Sequence, residues 1–256
     1  MSNRYRFGPL AIVLFVILIA SPPAHSQTQG APVTVCDRVA ADPWDRNRVA
    51  EGIRFSEVDG EEAVEACEKA NQQYPESVRL RYQYGRSLLV REWSRLRHSD
   101  VDPALSIQRA AVKGYAPAQY LLGFLHEKGY GVEKEFDLAL RQYLSAAESG
   151  YAPAQRYLGK RYTRGYTIGL TNKPNYEEAL QWLGRAASQG HPYAQAELGN
   201  LYDNNEDYGY ESDAPQDYVK AAHWYRKAAE QGHPFAQRDL GYLYRVGRGE
   251  ERDCAK

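Results

Sequence analysis

The chain has 256 residues, and its 32 Lys and Arg residues against 33 Asp and Glu residues give a net charge of −1. No overall positive charge is available to neutralise a phosphate backbone, which argues against general nucleic-acid binding. With 43% hydrophobic and 25% charged residues, the composition is that of an ordinary globular protein.

Residues 1–26 have the pattern of a secretory signal peptide. Arg4 and Arg6 precede an apolar run at 10–20, and small residues follow it up to Ser26. A run of 11 residues is too short to cross a bilayer, which takes roughly 17–25 residues; an uncleaved anchor is the alternative interpretation. We predict cleavage after Ser26 and a periplasmic or secreted protein with no stable membrane span, since no second apolar run follows.

Three Cys residues follow the predicted signal peptide: Cys36, Cys67 and Cys254. Export permits disulfides, and we predict a bond between Cys36 and Cys67 that ties an irregular segment, 27–58, to the first helix. A metal site is the weaker alternative, because the chain has no C-x-x-C pair and no His spaced to complete a tetrahedral set. We expect no metal and no cofactor.

One motif recurs four times along the chain. Gly and an aromatic or His residue precede Ala-Gln at 114–119, 150–155, 190–195 and 232–237, at spacings of 36, 40 and 42 residues. Each copy continues as A-Q-x-x-L-G-x-x-[Y/H] and follows an Ala pair. The composition agrees, because 21 Tyr residues against 6 Phe residues indicate a repeated motif that uses Tyr at fixed positions.

Each part of the motif has a structural reason. The first Gly is suited to end a helix in the left-handed conformation, and the Pro that follows is suited to the first turn of the next helix. The Gly in mid-helix costs about 1 kcal/mol of helix propensity, which is acceptable where two helices approach closely. We therefore predict antiparallel helix pairs with close contacts at Gly123, Gly159, Gly199 and Gly241.

The pattern resembles the Sel1-like repeat family, a relative of the tetratricopeptide repeat. Residues 179–183 and 221–225 are similar to the A-x-x-W-Y stretch of that family. The resemblance is strong over 102–256, where the last unit is incomplete, and weaker over 59–101, which is similar to one tetratricopeptide-like helix pair. It implies an all-α fold, a right-handed α-solenoid of antiparallel helix pairs that binds partners without catalysis of its own.

The periodicity and the turn residues place ten helices in the chain. We predict them at about 60–73, 77–94, 102–113, 117–128, 136–149, 153–164, 176–189, 192–203, 217–231 and 234–246. The basic residues between Arg79 and Arg97 are interpreted as a solvated helix face rather than a docking site.

Motifs for catalysis or metal binding are missing from the sequence. The chain has no G-x-S-x-G, S-x-x-K or H-E-x-x-H. His126, His191 and His233 each occupy a repeat position that holds Tyr in other copies, so we interpret them as structural. Asp203 begins a segment that resembles a calcium loop, but Tyr208 stands where such a loop needs Gly. We therefore predict that the protein is not an enzyme.

A surface argument gives candidate binding residues. The loops after 165 and 205 are longer than the loop after 129, and insertions in a solenoid tend to fall on its binding side. Tyr is a rigid anchor at interfaces. A solvated, tolerated insertion is the alternative. The candidate partner-binding edge consists of Tyr166, Ile168, Tyr176, Tyr208, Tyr210, Asp207 and Glu211, with further acids at Asp203, Glu206, Asp213 and Asp217.

The repeat stops in mid-unit at the C-terminus, so the helix at 234–246 has no predicted partner on one face. Repeat arrays normally need a polar terminal cap. We expect Phe235, Leu240, Leu243 and Tyr244 to form an exposed apolar patch, and self-association through this end, in part through Cys254.

The leading hypothesis is an exported, non-enzymatic scaffold that binds a protein or peptide partner in the cell envelope, with a role in envelope signalling or regulation. One alternative is an envelope enzyme of β-lactam or peptidoglycan chemistry, against which the missing S-x-x-K argues. A second alternative is a scaffold that binds peptidoglycan or polysaccharide through its Tyr residues.

Overall fold

The computed structural model describes residues 31–45, 58–95, 103–165, 173–204 and 216–249. Within these ranges the regular structure is entirely helical, and the ten predicted helices are confirmed to within two residues at each end, with one more helix before them. The helices are α1 (Val35–Ala40), α2 (Gly60–Gln73), α3 (Val78–Arg95), α4 (Pro103–Val112), α5 (Ala116–Lys128), α6 (Phe136–Glu148), α7 (Ala152–Thr163), α8 (Tyr176–Ser188), α9 (Pro192–Asp203), α10 (Tyr218–Glu230) and α11 (Pro234–Arg245).

Helix α1 lies in the segment that we predicted to be irregular. Thr34 begins it with a capping box, in which the Thr34 side chain accepts from the Asp37 amide and the Asp37 carboxylate accepts from the Thr34 amide. A helix of six residues is too short for apolar periodicity to reveal it. The sulfur atoms of Cys36 and Cys67 lie at bonding distance, 2.10 Å, and join α1 to α2.

Each helix packs mainly on the helices next to it in the chain, as in a solenoid. Contacts beyond nearest neighbours join α7 to α9 and α9 to α11, so these alternate helices lie side by side. We refer to α3, α5, α7, α9 and α11 as the inner helices. None of the described helices has the length and apolar character needed to cross a membrane.

The turns between paired helices have the predicted geometry. Gly114, Gly150, Gly190 and Gly232 have φ between +78° and +87°, a conformation that L residues with a side chain rarely adopt. The inner helices α5, α7, α9 and α11 begin directly after these turns, with Pro in the first or second position.

Close helix contacts occur at three of the four predicted mid-helix glycines. A Cβ atom built on Gly199 would lie 2.5 Å from the Tyr225 ring, and one on Gly159 would lie 2.6 Å from Leu183. Gly123 is similarly close to the Ala139 carbonyl oxygen, at 2.9 Å. The prediction for Gly241 is wrong, because no described atom lies within 4 Å of a Cβ at that position.

The Gln of the repeated motif connects successive pairs. In three copies its amide donates to the carbonyl oxygen of an Ala in the preceding helix, as Gln195 does to Ala187 at 3.2 Å. Its own oxygen then accepts from a Gln of the next pair: Gln189 donates to Gln155 at 2.6 Å, and Gln231 donates to Gln195 at 2.7 Å. These amides form a ladder along the array.

The C-terminal patch is smaller than predicted. Phe235 and Tyr244 are exposed, but Leu243 is fully buried and Leu240 is half-buried, because both pack in the cluster that α10 and α11 share. Cys254 lies outside the described residues, and self-association through this end stays a prediction.

The glycine contacts predict opposite effects of one substitution at two sites. Gly199→Ala should lower the free energy of unfolding by about 1–3 kcal/mol, since the added methyl group meets the Tyr225 ring. Gly241→Ala, the matched control in open space, should raise it by up to about 1 kcal/mol through helix propensity. Urea unfolding followed by circular dichroism measures both, and equal stability of the two variants would contradict the packing argument.

The amide ladder has a gap that can be filled. Gln119 Oε1 is buried and lacks a partner among the described residues, and Ser149 stands where the later pairs have Gln189 and Gln231. We expect Ser149→Gln to donate to Gln119 and to raise the unfolding free energy by about 0.5–1.5 kcal/mol. The reverse change, Gln189→Ser, should lower it. Thermal unfolding of both variants gives the signs, and a Ser149→Gln variant no more stable than wild type would count against the ladder.

Candidate functional site

The predicted partner-binding edge lies mostly outside the described residues. This holds for Tyr166, Ile168, Tyr208, Tyr210, Asp207 and Glu211. Tyr176 is described, and it is half-buried at the start of α8, where it packs against the core. Asp203 is buried and accepts from the Tyr225 hydroxyl at 3.3 Å, and Asp217 caps α10. These three positions are occupied in structural contacts, so the edge as a whole stays a prediction.

Within the described residues, the N-terminal segment 31–45 lies on the inner helices. Our interpretation of the basic residues as a solvated face is wrong for Arg79 and Arg86, which are 1% and 3% exposed. Arg79 forms a buried ion pair with Asp37 of α1. Arg86 donates to the carbonyl oxygens of Ala40 at 2.7 Å and Ala41 at 3.3 Å. Both Arg residues therefore hold the N-terminal segment against α3.

Two carboxylates of the N-terminal segment bind tyrosine hydroxyls of the array. Asp42 Oδ2 accepts from the Tyr82 hydroxyl and from the Tyr151 hydroxyl, both at 2.8 Å, and Asp45 accepts from the Tyr115 hydroxyl. Burial, together with the nearby carboxylates, raises the pKa of all three tyrosines well above the usual value. The hydroxyls therefore remain protonated and act as donors.

Trp44 of the same segment reaches the third copy of the motif. Its ring stacks on His191, with centroids 4.4 Å apart and an interplanar angle of 15°. His191 Nδ1 caps α9 by accepting from the Ala194 amide at 3.4 Å. Burial, with a smaller contribution from Arg156, lowers the pKa of His191 to about 4, so the ring is neutral at physiological pH.

The contacts of the N-terminal segment follow the repeat. Tyr115, Tyr151, His191 and His233 each follow the turn glycine and begin an inner helix. Asp45, Asp42 and Trp44 bind the first three of these positions. The segment thus contacts three repeat units through a turn at 42–45, in which the Asp45 amide donates to the Asp42 carbonyl oxygen at 3.2 Å.

An open groove continues along α7, α9 and α11. It encloses a cavity of about 340 Å³ whose lining includes Arg156, Glu197, Tyr193, His233 and Phe235. Tyr193 is 54% exposed and Phe235 is 59% exposed, which is unusual for large rings in a cleft. Exposed rings beside charged groups are suited to binding another molecule.

The groove contains one ion-pair cluster. Glu197 Oε1 accepts from Arg156 at 2.6 Å and from Lys160 at 3.4 Å. The guanidinium of Arg156 also lies 5.4 Å from the centre of the Tyr193 ring. Thr163, the one hydroxyl-bearing aliphatic residue that lines the described groove, donates to the Lys160 carbonyl oxygen. The groove can therefore recognise a ligand by charge and by aromatic contact.

Only a weak signal for this site is present in the sequence. Trp44 lies between Asp42 and Asp45 in a segment without helical periodicity. Its ring therefore belongs to no apolar helix face, which indicates a contact elsewhere. The pairing of Asp42 with Tyr151 was beyond sequence reasoning, because 109 residues separate them. Among the described residues, no three His, Cys, Asp or Glu side chains lie together as a candidate metal site.

The stacked, neutral His191 predicts a pH dependence of stability. Its folded pKa of about 4 lies below the unfolded value of about 6.5. The contribution of the neutral ring to the free energy of unfolding is therefore complete above about pH 6.5 and is lost as the pH falls toward 4. Between pH 7.5 and 5, wild type should lose about 2 kcal/mol more than His191→Asn, which retains a capping side chain. Urea unfolding at each pH measures this, with His223→Asn at an exposed site as the control. Parallel pH profiles of wild type and His191→Asn would contradict the prediction.

Comparison with known proteins agrees with the geometry. The Sel1 repeat model matches residues 116–151, 152–191, 192–233 and 234–256. No curated protein sequence gives a significant match. Among solved structures, the chain is similar to a Sel1 repeat protein from Oxalobacter formigenes, with 30% identity over 75% of this chain and 52% of that one and a TM-score of 0.58.

A protective antigen of uropathogenic Escherichia coli that displays the SLR fold is similar to the same degree, with 31% identity over 74% of this chain and a TM-score of 0.58. The chain spans about half the length of the first of these proteins and 38% of the second. With matched repeats over more than half of its residues, the chain belongs to the Sel1 repeat family of α-helical scaffolds.

Proposed function

We propose that this protein is an exported scaffold without catalytic activity, which binds a protein or peptide partner in a bacterial cell envelope through its inner helices. The observation that carries the proposal is the N-terminal segment. The inner helices already bind one peptide segment, residues 40–45, through hydroxyl–carboxylate bonds and a ring stack. The same surface continues into the open groove.

Two observations support export. Residues 1–26 have the pattern of a signal peptide, and the Cys36–Cys67 bond is of the kind that persists in oxidising compartments. A role in envelope signalling or regulation would follow if the partner is a membrane sensor or an assembly factor. The loop edge at Tyr166, Ile168, Tyr208 and Tyr210 would then extend the binding surface.

The groove side chains favour binding over catalysis. A nucleophilic hydroxyl of the Ser or Thr type needs a base beside it, and Thr163 instead donates to a backbone carbonyl. Glu197 is neutralised by Arg156 and Lys160. The lining therefore supports a scaffold over the β-lactam or peptidoglycan enzyme that is the alternative.

Site-specific photocrosslinking in cells tests the proposal. A photoreactive phenylalanine analogue replaces Phe235 in the groove or, as a control, Val219 on an exposed face of α10. We expect one defined envelope protein to be crosslinked from position 235 and not from 219. Excess purified protein should compete for it. Export is read from the same periplasmic fraction, where the intact mass should correspond to loss of residues 1–26.

Two results would contradict the proposal. Equal crosslinking from positions 235 and 219 would remove the groove as the binding surface. Retention on insoluble peptidoglycan that is lost on Phe235→Ala, without a protein crosslink, would favour the polysaccharide scaffold instead.

A further inference from the structure

The aromatic rings of the N-terminal segment and the open groove form one continuous row. Trp44 stacks on His191 at 4.4 Å, and His191 lies 6.2 Å from Tyr193 between ring centroids. Tyr193 packs edge-on against His233 at 4.8 Å, and His233 lies 6.1 Å from Phe235. The first ring of this row belongs to the bound segment, and the last rings are exposed. The open groove is therefore a direct continuation of a surface that already binds a peptide.

His233 repeats the donor position that the segment uses. It aligns with Tyr115 and Tyr151, whose hydroxyls donate to carboxylates. His233 Nδ1 accepts from the Ala236 amide at 3.3 Å, so in the neutral ring the proton is on Nε2, which can act as a donor. The fourth repeat position thus offers the same chemistry to a carboxylate as the first two.

The charges of the groove favour an acidic ligand. Its lining contains three cations, Arg156, Lys160 and Arg164, against two acids, Glu197 and Asp239. The surplus is positive, although the whole chain has a net charge of −1. A segment rich in Asp or Glu is therefore attracted to this part of the surface.

Two polar atoms in the groove lack partners among the described residues. Arg156 Nε is a donor and Glu197 Oε2 is an acceptor, and both are buried beside their shared ion pair. A peptide backbone supplies the matching carbonyl and amide groups. The ring of Tyr193 packs on Arg156 beside them and is 54% exposed.

We propose that the open groove binds an acidic peptide that carries an aromatic side chain, of the type that residues 42–45, Asp-Pro-Trp-Asp, present to the preceding repeats in a turn. This inference rests on the proposed function and specifies its ligand. A carboxylate binds at His233 and Arg156, and the aromatic side chain packs between Tyr193 and Phe235. The N-terminal segment is thus a built-in example of the ligand class.

The test uses a labelled peptide of residues 39–45, Val-Ala-Ala-Asp-Pro-Trp-Asp, titrated into the purified protein by fluorescence anisotropy. We expect saturable binding that weakens at least about tenfold when both Asp are replaced by Asn or when Trp is replaced by Ala. Tyr193→Ala and Phe235→Ala should each weaken binding about tenfold. Tyr130→Ala removes a comparably exposed ring outside the groove and should leave the affinity unchanged, with circular dichroism showing that all variants are folded.

A second pair of variants identifies the place of binding. If the probe displaced the N-terminal segment instead, Tyr151→Phe, which removes a donor to Asp42, would change its affinity while Tyr193→Ala would not. That result would overturn the inference. So would equal binding of the acidic and the Asn-substituted peptides. Loss of peptide binding together with a retained crosslink from position 235 would overturn the acidic-peptide inference alone and leave the scaffold proposal standing.

Discussion

The array depends on the close approach of each inner helix to the first helix of the next pair, at positions where glycine has no side chain. Gly159 and Gly199 admit Leu183 and Tyr225 against the backbone of their own helices. The Ala pairs before the first three turns are almost fully buried, and so is Ala228 before the fourth. Because this contact is repeated, each unit sets the position of the next one. The inner helices consequently present equivalent residues at regular intervals, which is what allows one peptide to bind along several units.

The N-terminal segment adds a second level of organisation. In a solenoid each unit contacts its neighbours, and stability is approximately a sum of local terms. Asp42 departs from this rule, since it joins α3 to the start of α7 through Tyr82 and Tyr151. The buried Arg79–Asp37 pair and the Cys36–Cys67 bond fix the other end of the segment. Units that would otherwise act independently are therefore coupled through a chain segment that belongs to none of them.

The repeat made most of the fold predictable. Turn glycines, Ala pairs and four-residue periodicity located ten helices, because these features act locally and recur. Gly241 was predicted incorrectly because Gly123, Gly159 and Gly199 make their close contacts with the next helix of the chain, and no helix after α11 is among the described residues. The burial of Arg79 and Arg86 was also missed, because their partners lie far away in sequence. Arg79 pairs with Asp37, and Arg86 donates to a backbone carbonyl group. The candidate site was predicted from loop length, whereas the described groove arises from equivalent positions on the inner helices. Loop length carries no information about what binds between helices.

The hydrogen bond between Asp42 and Tyr151 also constrains the order in which contacts form during synthesis of the chain. It spans 109 residues, and at ordinary rates of synthesis that length of chain takes on the order of 10 s to emerge from the ribosome. Cys67 follows Cys36 after 31 residues, but His191 is made much later than Trp44. The N-terminal segment is thus the first described part of the chain to be made, but it completes its contacts only after Tyr151 and His191 have been made. A chain that stops before residue 151 leaves the Asp42 carboxylate with one of its two tyrosine donors, so complete docking of the segment requires the second copy of the motif.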